Sequence, residues 1–207
     1  MPDVALHNIS PGSPEAALLA ALGKRSLVLV GMMGAGKSSV GRKLGQRLAL
    51  SFVDADVAIE EAAGMSIPDI FETRGEAEFR AGEARVIARL LDGGPQVLAT
   101  GGGAYMNGDT QDVIRRRGLA IWLRADFDVL MRRIKRRSDR PLLRTADPAA
   151  TLRELMDKRY PVYALADLTI ESRDVPHDVI VDEIVDGLRT MLCGAAVSAQ
   201  PVAEKLP

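Results

Sequence analysis

The sequence predicts an α/β fold in which a parallel sheet carries helices on both faces. Short aliphatic runs alternate along the chain with longer helical segments, the pattern of parallel strands joined by crossover helices. The strand runs are uniformly apolar, as strands covered on both faces must be. The chain has 207 residues, enough for one such domain with a sizeable core.

Five apolar runs are predicted as strands, and the segments around them as helices. The strands are expected at 27–30, 51–53, 96–99, 119–123 and 168–170. Ser13 and Ser66 mark helix starts, Gly64 and Gly118 mark helix ends, and Gly75 should divide one long helical segment. The helices are expected at 14–22, 37–50, 57–63, 66–74, 76–91, 109–117, 126–136, 148–163 and 177–192.

Residues 31–38 match the pattern G-x-x-x-x-G-K-[ST] through Gly31, Gly36, Lys37 and Ser38. In this pattern backbone N–H groups surround a chain of phosphates, and the next helix points its positive end at them. The lysine reaches the β- and γ-phosphates, and the hydroxyl ligates Mg²⁺. An ordinary strand–helix turn is the alternative, but the flanking strand and helix favour a phosphate-binding loop.

Two further unusual stretches follow predicted strands, where folds of this class bind ligands. Asp54 and Asp56 follow the second strand. If that strand continued, alternation would separate the two carboxylates, so that one could face a metal and the other a substrate hydroxyl. Gly101, Gly102 and Gly103 follow the third strand and would let the backbone approach a ligand. The alternatives are a polar turn with Asp56 as a helix cap, and a flexible glycine loop.

Three arginines could bind an anion in such a site: Arg80, Arg140 and Arg159. A planar guanidinium suits a carboxylate or a transferring phosphoryl group, although a single helical arginine is more often a solvated surface charge. The basic runs at 115–117 and 132–137 could suggest nucleic-acid binding. The net charge of −1 argues against that partner, and amphipathic helix faces explain most of these residues.

The composition is that of a soluble globular protein, with 47% apolar and 27% charged residues. No apolar run approaches the roughly 20 residues that span a bilayer, so no membrane association is expected. Cys193 is the single cysteine, which excludes an internal disulfide and fits a reducing cytoplasm. We therefore expect a cytoplasmic protein.

Taken in order, these motifs resemble those of the shikimate kinase family. The resemblance covers roughly residues 25–192 and rests on residues 31–41, 52–56, 70–71, 75–80, 100–103, 140–143, 159–163 and 166–170. It implies a P-loop fold like that of the nucleoside monophosphate kinases, with a five-stranded parallel sheet and a mobile lid at 137–147. The domain would span 25–192, with substrate-binding helices at 57–91, an N-terminal extension at 1–24 and a disordered tail at 193–207.

The resemblance also implies a reaction: transfer of the γ-phosphate of ATP to the 3-hydroxyl of shikimate, on the route to chorismate and the aromatic amino acids. The catalytic residues would be Lys37, Asp56 and Arg140. Mg²⁺ would be held by Ser38 and, through water, by Asp54. Shikimate would contact Asp56, Arg80, Gly101, Gly102, Gly103 and Arg159. ATP would contact Gly34, Ala35, Gly36, Lys37, Ser38, Ser39, Arg137, Arg140 and Pro176.

The resemblance is weakest at the residues that would contact adenine. Either Arg137 or Arg136 could be the arginine that packs against adenine in this family. Three other functions remain open from the sequence. They are a related small-molecule kinase such as a gluconate kinase, a nucleotide-binding regulatory module, and a nucleic-acid-binding protein. The family bias is toward monomers.

Overall fold

The computed structural model describes residues 10, 12–136 and 145–197. Its strands are β1 (Ser26–Val30), β2 (Phe52–Asp54), β3 (Val97–Ala99), β4 (Gly118–Arg124) and β5 (Leu168–Glu171). All neighbouring strands are parallel, and they form one sheet in the order β2-β3-β1-β4-β5. The predicted five-stranded parallel sheet is therefore confirmed.

The helices that connect these strands lie close to their predicted positions. They are α1 (Pro14–Leu22), α2 (Lys37–Leu48), α3 (Ala55–Ala63), α4 (Ile67–Asp92), α5 (Gly108–Arg117), α6 (Phe127–Lys135), α7 (Pro148–Tyr163) and α8 (His177–Val197). Helix α2 packs against α8, while α4 packs against α5. Right-handed crossovers place α2 on one face of the sheet and α4 and α5 on the other. The reason is that the chain moves one way across the sheet after β1 and the other way after β2.

Strand β1 is the central strand of the sheet, and all five of its residues are buried. It pairs with β3 through Leu27 to Leu29 and with β4 along its whole length. The loop that follows β1 therefore opens at the middle of the carboxyl edge of the sheet. The ends of β2 and β3 lie beside it, which brings the predicted functional stretches together.

Three elements differ from the predicted ones. Helix α3 begins at Ala55 and not at Val57, because the Asp54 side chain caps it by accepting from the N–H of Asp56. A 3-10 helix at Ala104–Met106 was not predicted. Helix α8 continues to Val197, five residues past the predicted end.

Gly75 divides α4 as predicted, with φ 78° and ψ 169° between two helical segments. No other described residue of α4 leaves helical geometry. The segments of α4 and helix α3 enclose a small apolar core of Ile59, Ile70 and Phe79, which is separate from the main core around the sheet.

Two helical glycines should respond to alanine in opposite ways. A Cβ on Gly41 would lie 2.5 Å from Cε2 of the Phe52 ring, so Gly41→Ala should lower the free energy of unfolding by about 1–3 kcal/mol. A Cβ on Gly82 would meet only Nη2 of Arg85, at 3.9 Å, so Gly82→Ala should raise it by up to about 1 kcal/mol through helix propensity. Urea unfolding of both variants beside the parent chain checks the prediction, and shifts of the same sign would contradict it.

Some predictions fall on residues outside the described ranges. They are the N-terminal tail through residue 9, the tail from residue 198, and most of the lid, including Arg137 and Arg140. Within the described residues, no helix is both long enough and apolar enough to span a membrane.

Candidate active site

The turn after β1 has the geometry of a phosphate-binding loop. Gly31 has φ 135°, and a Cβ there would lie 2.7 Å from the carbonyl oxygen of Leu123. Gly36 has φ 92° and caps the start of α2, so the first N–H groups of this helix face the loop. The Lys37 ammonium donates to the carbonyls of Gly31 at 2.8 Å and Met32 at 3.0 Å. The Lys37 side chain therefore folds back over the loop that precedes its own helix.

The chain's single tryptophan lies beneath the first residue of this loop. Trp122, on β4, is 5% exposed, and its Cδ1 would lie 3.4 Å from a Cβ on Gly31. The Tyr160 ring meets the indole edge-on, with centroids 5.0 Å apart. The indole is thus packed between the strand edge and helix α7.

Ser38 and Asp54 meet directly at the edge of the loop. The Ser38 hydroxyl donates to Oδ2 of Asp54 at 2.7 Å. The other oxygen of Asp54 accepts from the N–H of Asp56 at 3.2 Å. One carboxylate thus joins the end of β2, the start of α2 and the start of α3, and its position is fixed by all three.

Asp56 lies in the first turn of α3 and faces Gly101 at the end of β3. A Cβ on Gly101 would lie 2.8 Å from Oδ1 of Asp56 and 2.8 Å from Oε1 of Glu83. Two carboxylates therefore converge on this glycine, and any larger residue would displace them. The condition for strand alternation between Asp54 and Asp56 is not met, because the strand ends at Asp54 and the helix begins at Ala55. The two carboxylates nevertheless contact different groups, Asp54 the Ser38 hydroxyl and Asp56 the Gly101 position.

Glu83 was missed by the sequence analysis, although it is 2% exposed on α4. It accepts a hydrogen bond from Nη1 of Arg80 at 2.8 Å. Burial raises the pKa of Glu83 above its usual range, and the hydrogen bond and charge of Arg80 partly oppose this effect. The negative charge of Asp56 raises that pKa further. The available sequence signal was the spacing of three residues between Arg80 and Glu83, which places them side by side on a helix.

The Arg80 guanidinium is held from several directions. Its Nη2 lies 3.2 Å from Oε1 of the exposed Glu76, and its Cζ lies 5.1 Å from the centroid of the Phe79 ring. A Cβ on Gly103 would lie 2.6 Å from Nη1. The guanidinium therefore lies directly against the backbone of Gly103. A residue with a Cβ at this position would clash with it.

Arg159 reaches the same glycine stretch from helix α7. Its Nη1 donates to the carbonyl of Gly102 at 3.1 Å, and the buried hydroxyl of Tyr163 donates to the same oxygen. Arg80 and Arg159 both line a pocket of about 300 Å³ with Glu76, Gly103, Met106 and Asn107. Arg80 is paired with Glu76 and Glu83, whereas Arg159 forms no ion pair with the described residues, so the Arg159 charge makes this pocket suitable for an anion.

A larger cleft of about 620 Å³ runs along the phosphate-binding loop. Its lining includes Gly34, Gly36, Lys37, Ser38, Ser39, Asp54, Asp56 and Gly102. Most of the residues predicted for phosphate, metal and substrate contacts are therefore in one cleft. Gly102 joins it to the arginine pocket, because Arg159 of that pocket donates to the Gly102 carbonyl.

Arg133 also lines this cleft and was not singled out from the sequence. Its Nη1 donates to the hydroxyl of Ser172 at 2.9 Å and to the carbonyl of Gly34 at 3.3 Å. The Ser172 hydroxyl in turn donates to the carbonyl of Ala35 at 2.7 Å. Arg133 therefore connects the phosphate-binding loop to the end of β5 and places a fixed positive charge beside it.

Arg136 lines the cleft as well, while Arg137 lies outside the described residues. Pro176 was predicted at the nucleotide-base end. The cleft is lined there by its neighbour His177, the first residue of α8, and not by Pro176 itself. Both adenine contacts stay predictions.

Comparisons with known proteins point to a single family. The family model for shikimate kinase matches residues 33–189. A curated shikimate kinase of Bradyrhizobium diazoefficiens is 63% identical over 192 residues, covering 93% of this chain and 92% of the relative. One of Rhodopseudomonas palustris is 62% identical over 181 residues, covering 87% and 89%.

Solved structures give the same result. The structure of shikimate kinase from Acinetobacter baumannii in complex with shikimate matches with a TM-score of 0.77 and 35% identity, covering 86% of this chain and 98% of that one. A gluconokinase of Sinorhizobium meliloti matches with a TM-score of 0.59 and 18% identity, covering 86% and 98%. The second likeness shows a shared fold alone.

Proposed function

The chain belongs to the shikimate kinase family, and from this membership we propose how its residues carry out the family's reaction. The chain is a kinase that transfers the γ-phosphate of ATP to the 3-hydroxyl of shikimate. The observation that carries the assignment of roles is the meeting of two pockets at Gly102. One is built for phosphates and the other for a carboxylate.

The phosphates of ATP bind to the N–H groups of the loop and of the first turn of α2. The Lys37 ammonium moves from the loop carbonyls to the β- and γ-phosphates, which requires only a side-chain rotation. Arg133 adds positive charge beside the loop, where it donates to the Gly34 carbonyl. Arg137 and Arg140 are also proposed to contact ATP, and this proposal rests on the family resemblance alone.

Mg²⁺ fits the oxygen pair formed by Ser38 and Asp54. No group of three or more metal-ligating side chains occurs within the described residues. This suits Mg²⁺, which usually takes one or two protein oxygens and completes its shell with water and substrate phosphates. Ser38 would bind the ion directly and Asp54 through water, and the bound ion would neutralise charge on the phosphates.

Shikimate lies across the glycine stretch, with its carboxylate between Arg80 and Arg159. Arg159 can donate two hydrogen bonds to the carboxylate, and Arg80, which also pairs with Glu76 and Glu83, adds a second guanidinium on the other side. The backbone of Gly101, Gly102 and Gly103 lines the same pocket. The hydroxyl end of the ring then points toward Asp56 and the phosphate-binding loop.

Asp56 accepts the proton of the 3-hydroxyl as that oxygen attacks the γ-phosphorus. The bond from phosphorus to the β,γ-bridging oxygen breaks, ADP leaves, and the proton is held on the Asp56 carboxylate. Little covalent chemistry falls to the protein, so positioning and charge stabilisation carry the rate enhancement. Lys37 and Arg140 stabilise the charge on the transferring group.

A coupled assay of ADP release tests the function. The full chain with Mg²⁺ and ATP should release ADP with shikimate but not with gluconate, and ³¹P NMR should show one new phosphate monoester. Removing Mg²⁺ with EDTA should stop turnover, and adding it back should restore it. Turnover with gluconate alone would overturn the substrate assignment. Binding of ATP without any phosphorylation of shikimate would favour a regulatory module.

We also propose a cytoplasmic monomer. This rests on the single cysteine and on the family bias, and gel filtration of the full chain tests the monomer.

A further inference from the structure

A separate pocket lies between α3 and α4 and shares no lining residue with the cleft or the arginine pocket. Its volume is about 320 Å³. Along α4, its lining residues include Glu78, Gly82, Arg85 and Arg89, which recur every three or four residues and so share one face of the helix. Arg80 is two residues from both Glu78 and Gly82 and lies on nearly the opposite face.

The floor of this pocket is apolar. It is formed by Ile59, Ile70 and Phe79, the small core that is separate from the core around the sheet. Ala62, Ala63 and Val86 extend this apolar surface. An occupant with an apolar body would therefore bury its surface against side chains that already exclude water.

The rim of the same pocket is basic. Arg74, Arg85 and Arg89 line it, against the single carboxylate of Glu78. Elsewhere on the chain arginines form ion pairs, as Arg47 does with Glu15. The three rim arginines form no side-chain hydrogen bond or ion pair with any residue in the described part of the chain.

Arg85 and Arg89 are spaced to act together. Residues four apart on a helix are neighbours, with Cβ atoms about 5–6 Å apart. Two guanidinium groups at that separation can both donate to one carboxylate. An apolar floor with a few polar donors at its edge is the usual composition of a small-molecule site, and Arg85 and Arg89 both line this pocket.

We infer that the pocket between α3 and α4 binds an amphipathic anion, an aromatic carboxylate whose ring fills the apolar floor while Arg85 and Arg89 hold its carboxylate. The site is additional to the active site. It belongs to the helix that carries Arg80, and its floor residue Phe79 has its ring beneath the Arg80 guanidinium.

Calorimetric titration of the full chain with naphthalene-2-carboxylate tests this inference. ADP and shikimate are present at saturation, so that the active site is filled. We expect one binding event per chain, and binding at least about tenfold weaker for the neutral 2-naphthamide, which keeps the ring but loses the charge. Equal binding of the two compounds, or no binding of the carboxylate, would overturn the proposal.

Matched variants locate the site. Arg85→Gln and Arg89→Gln should each weaken binding of the carboxylate about tenfold, while Arg116→Gln, which removes an exposed charge from α5, should leave it unchanged. Gly82→Leu should abolish binding, because a side chain there extends into the pocket with only Arg85 nearby. Turnover of shikimate by Gly82→Leu shows that the variant is folded. Unchanged affinity in Gly82→Leu, or equal losses in Arg116→Gln and Arg85→Gln, would place the ligand elsewhere.

Discussion

Replacing Asp56 with asparagine should lower kcat for shikimate phosphorylation by about 10²–10⁴-fold and leave the affinity for ATP unchanged. Asparagine keeps the size of the side chain and its place beside Gly101 but cannot accept the hydroxyl proton. The contacts proposed for ATP are with the loop, α2, Arg133 and the residues assigned by resemblance (Arg137, Arg140 and Pro176), and none of them involves this carboxylate. Steady-state kinetics with shikimate and equilibrium binding of ATP, measured on the same preparation, separate the two quantities.

Asp128→Asn is the matched control for this variant. Asp128 is an exposed carboxylate in the first turn of α6, just as Asp56 lies in the first turn of α3. The control should keep full kcat. A fall in ATP affinity that parallels the fall in kcat would show that Asp56 supports the nucleotide site. An unchanged kcat would assign the proton to another acceptor.

Replacing Arg80 with leucine should destabilise the chain as well as weaken shikimate binding. The change leaves the buried Glu83 without the guanidinium that donates to it, and a buried group left without its partner costs about 1–3 kcal/mol, so the free energy of unfolding should fall by that amount at pH 8. It also removes one of the two guanidinium groups that hold the substrate carboxylate, so KM for shikimate should rise by about tenfold to a hundredfold. Urea unfolding and initial rates measure the two effects.

The stability loss should depend on pH in a direction set by Glu83. Its pKa in the folded chain is raised above the ordinary value of 4.5, chiefly by burial, so the folded state holds the proton more tightly than the unfolded state. The proton bound to Glu83 stabilises the folded state below pH 4.5. This stabilisation is lost as the pH rises through the pKa that Glu83 has in the folded chain. Because Arg80 lowers this pKa, its removal raises it further, and the deficit of Arg80→Leu should be largest at pH 8 and smallest near pH 4.5.

Two companion variants separate the buried pair from surface charge. Glu76→Gln removes the exposed partner of Arg80 and should change stability by less than about 1 kcal/mol. The double variant Arg80→Leu with Glu83→Leu removes the buried carboxylate together with its partner and should recover much of the lost stability at pH 8. A deficit in Arg80→Leu that does not vary with pH would exclude the uncompensated carboxylate as its cause.

Much of the fold was predictable because its signals are local. The loop motif, the caps at Ser13 and Ser66 and the break at Gly75 each depend on neighbours in the chain. The parallel sheet was predicted from uniformly apolar runs that alternate with helices, whereas the order of its strands was not predicted. Helix α3 was misplaced by two residues because the Asp54 carboxylate caps it while also accepting from Ser38, sixteen residues earlier.

The parts of the site that were not predicted depend on contacts between distant segments. Arg133 reaches Ser172 and the loop across 39 and 99 residues of sequence, and Tyr163 reaches Gly102 across 61. A basic run on a helix does not indicate which of its arginines will point inward. Glu83 looked like one more helical carboxylate, and only its burial beside Gly101 distinguishes it.

The position of Trp122 gives this protein a built-in optical signal. As the only indole in the chain, it is the single source of tryptophan emission, and its ring is packed beneath Gly31 and against Tyr160. Light emitted by this buried ring depends on the polarity and packing of its immediate surroundings. We therefore expect ATP binding at the loop to change the Trp122 emission, which a fluorescence titration of the native chain would measure without any attached dye.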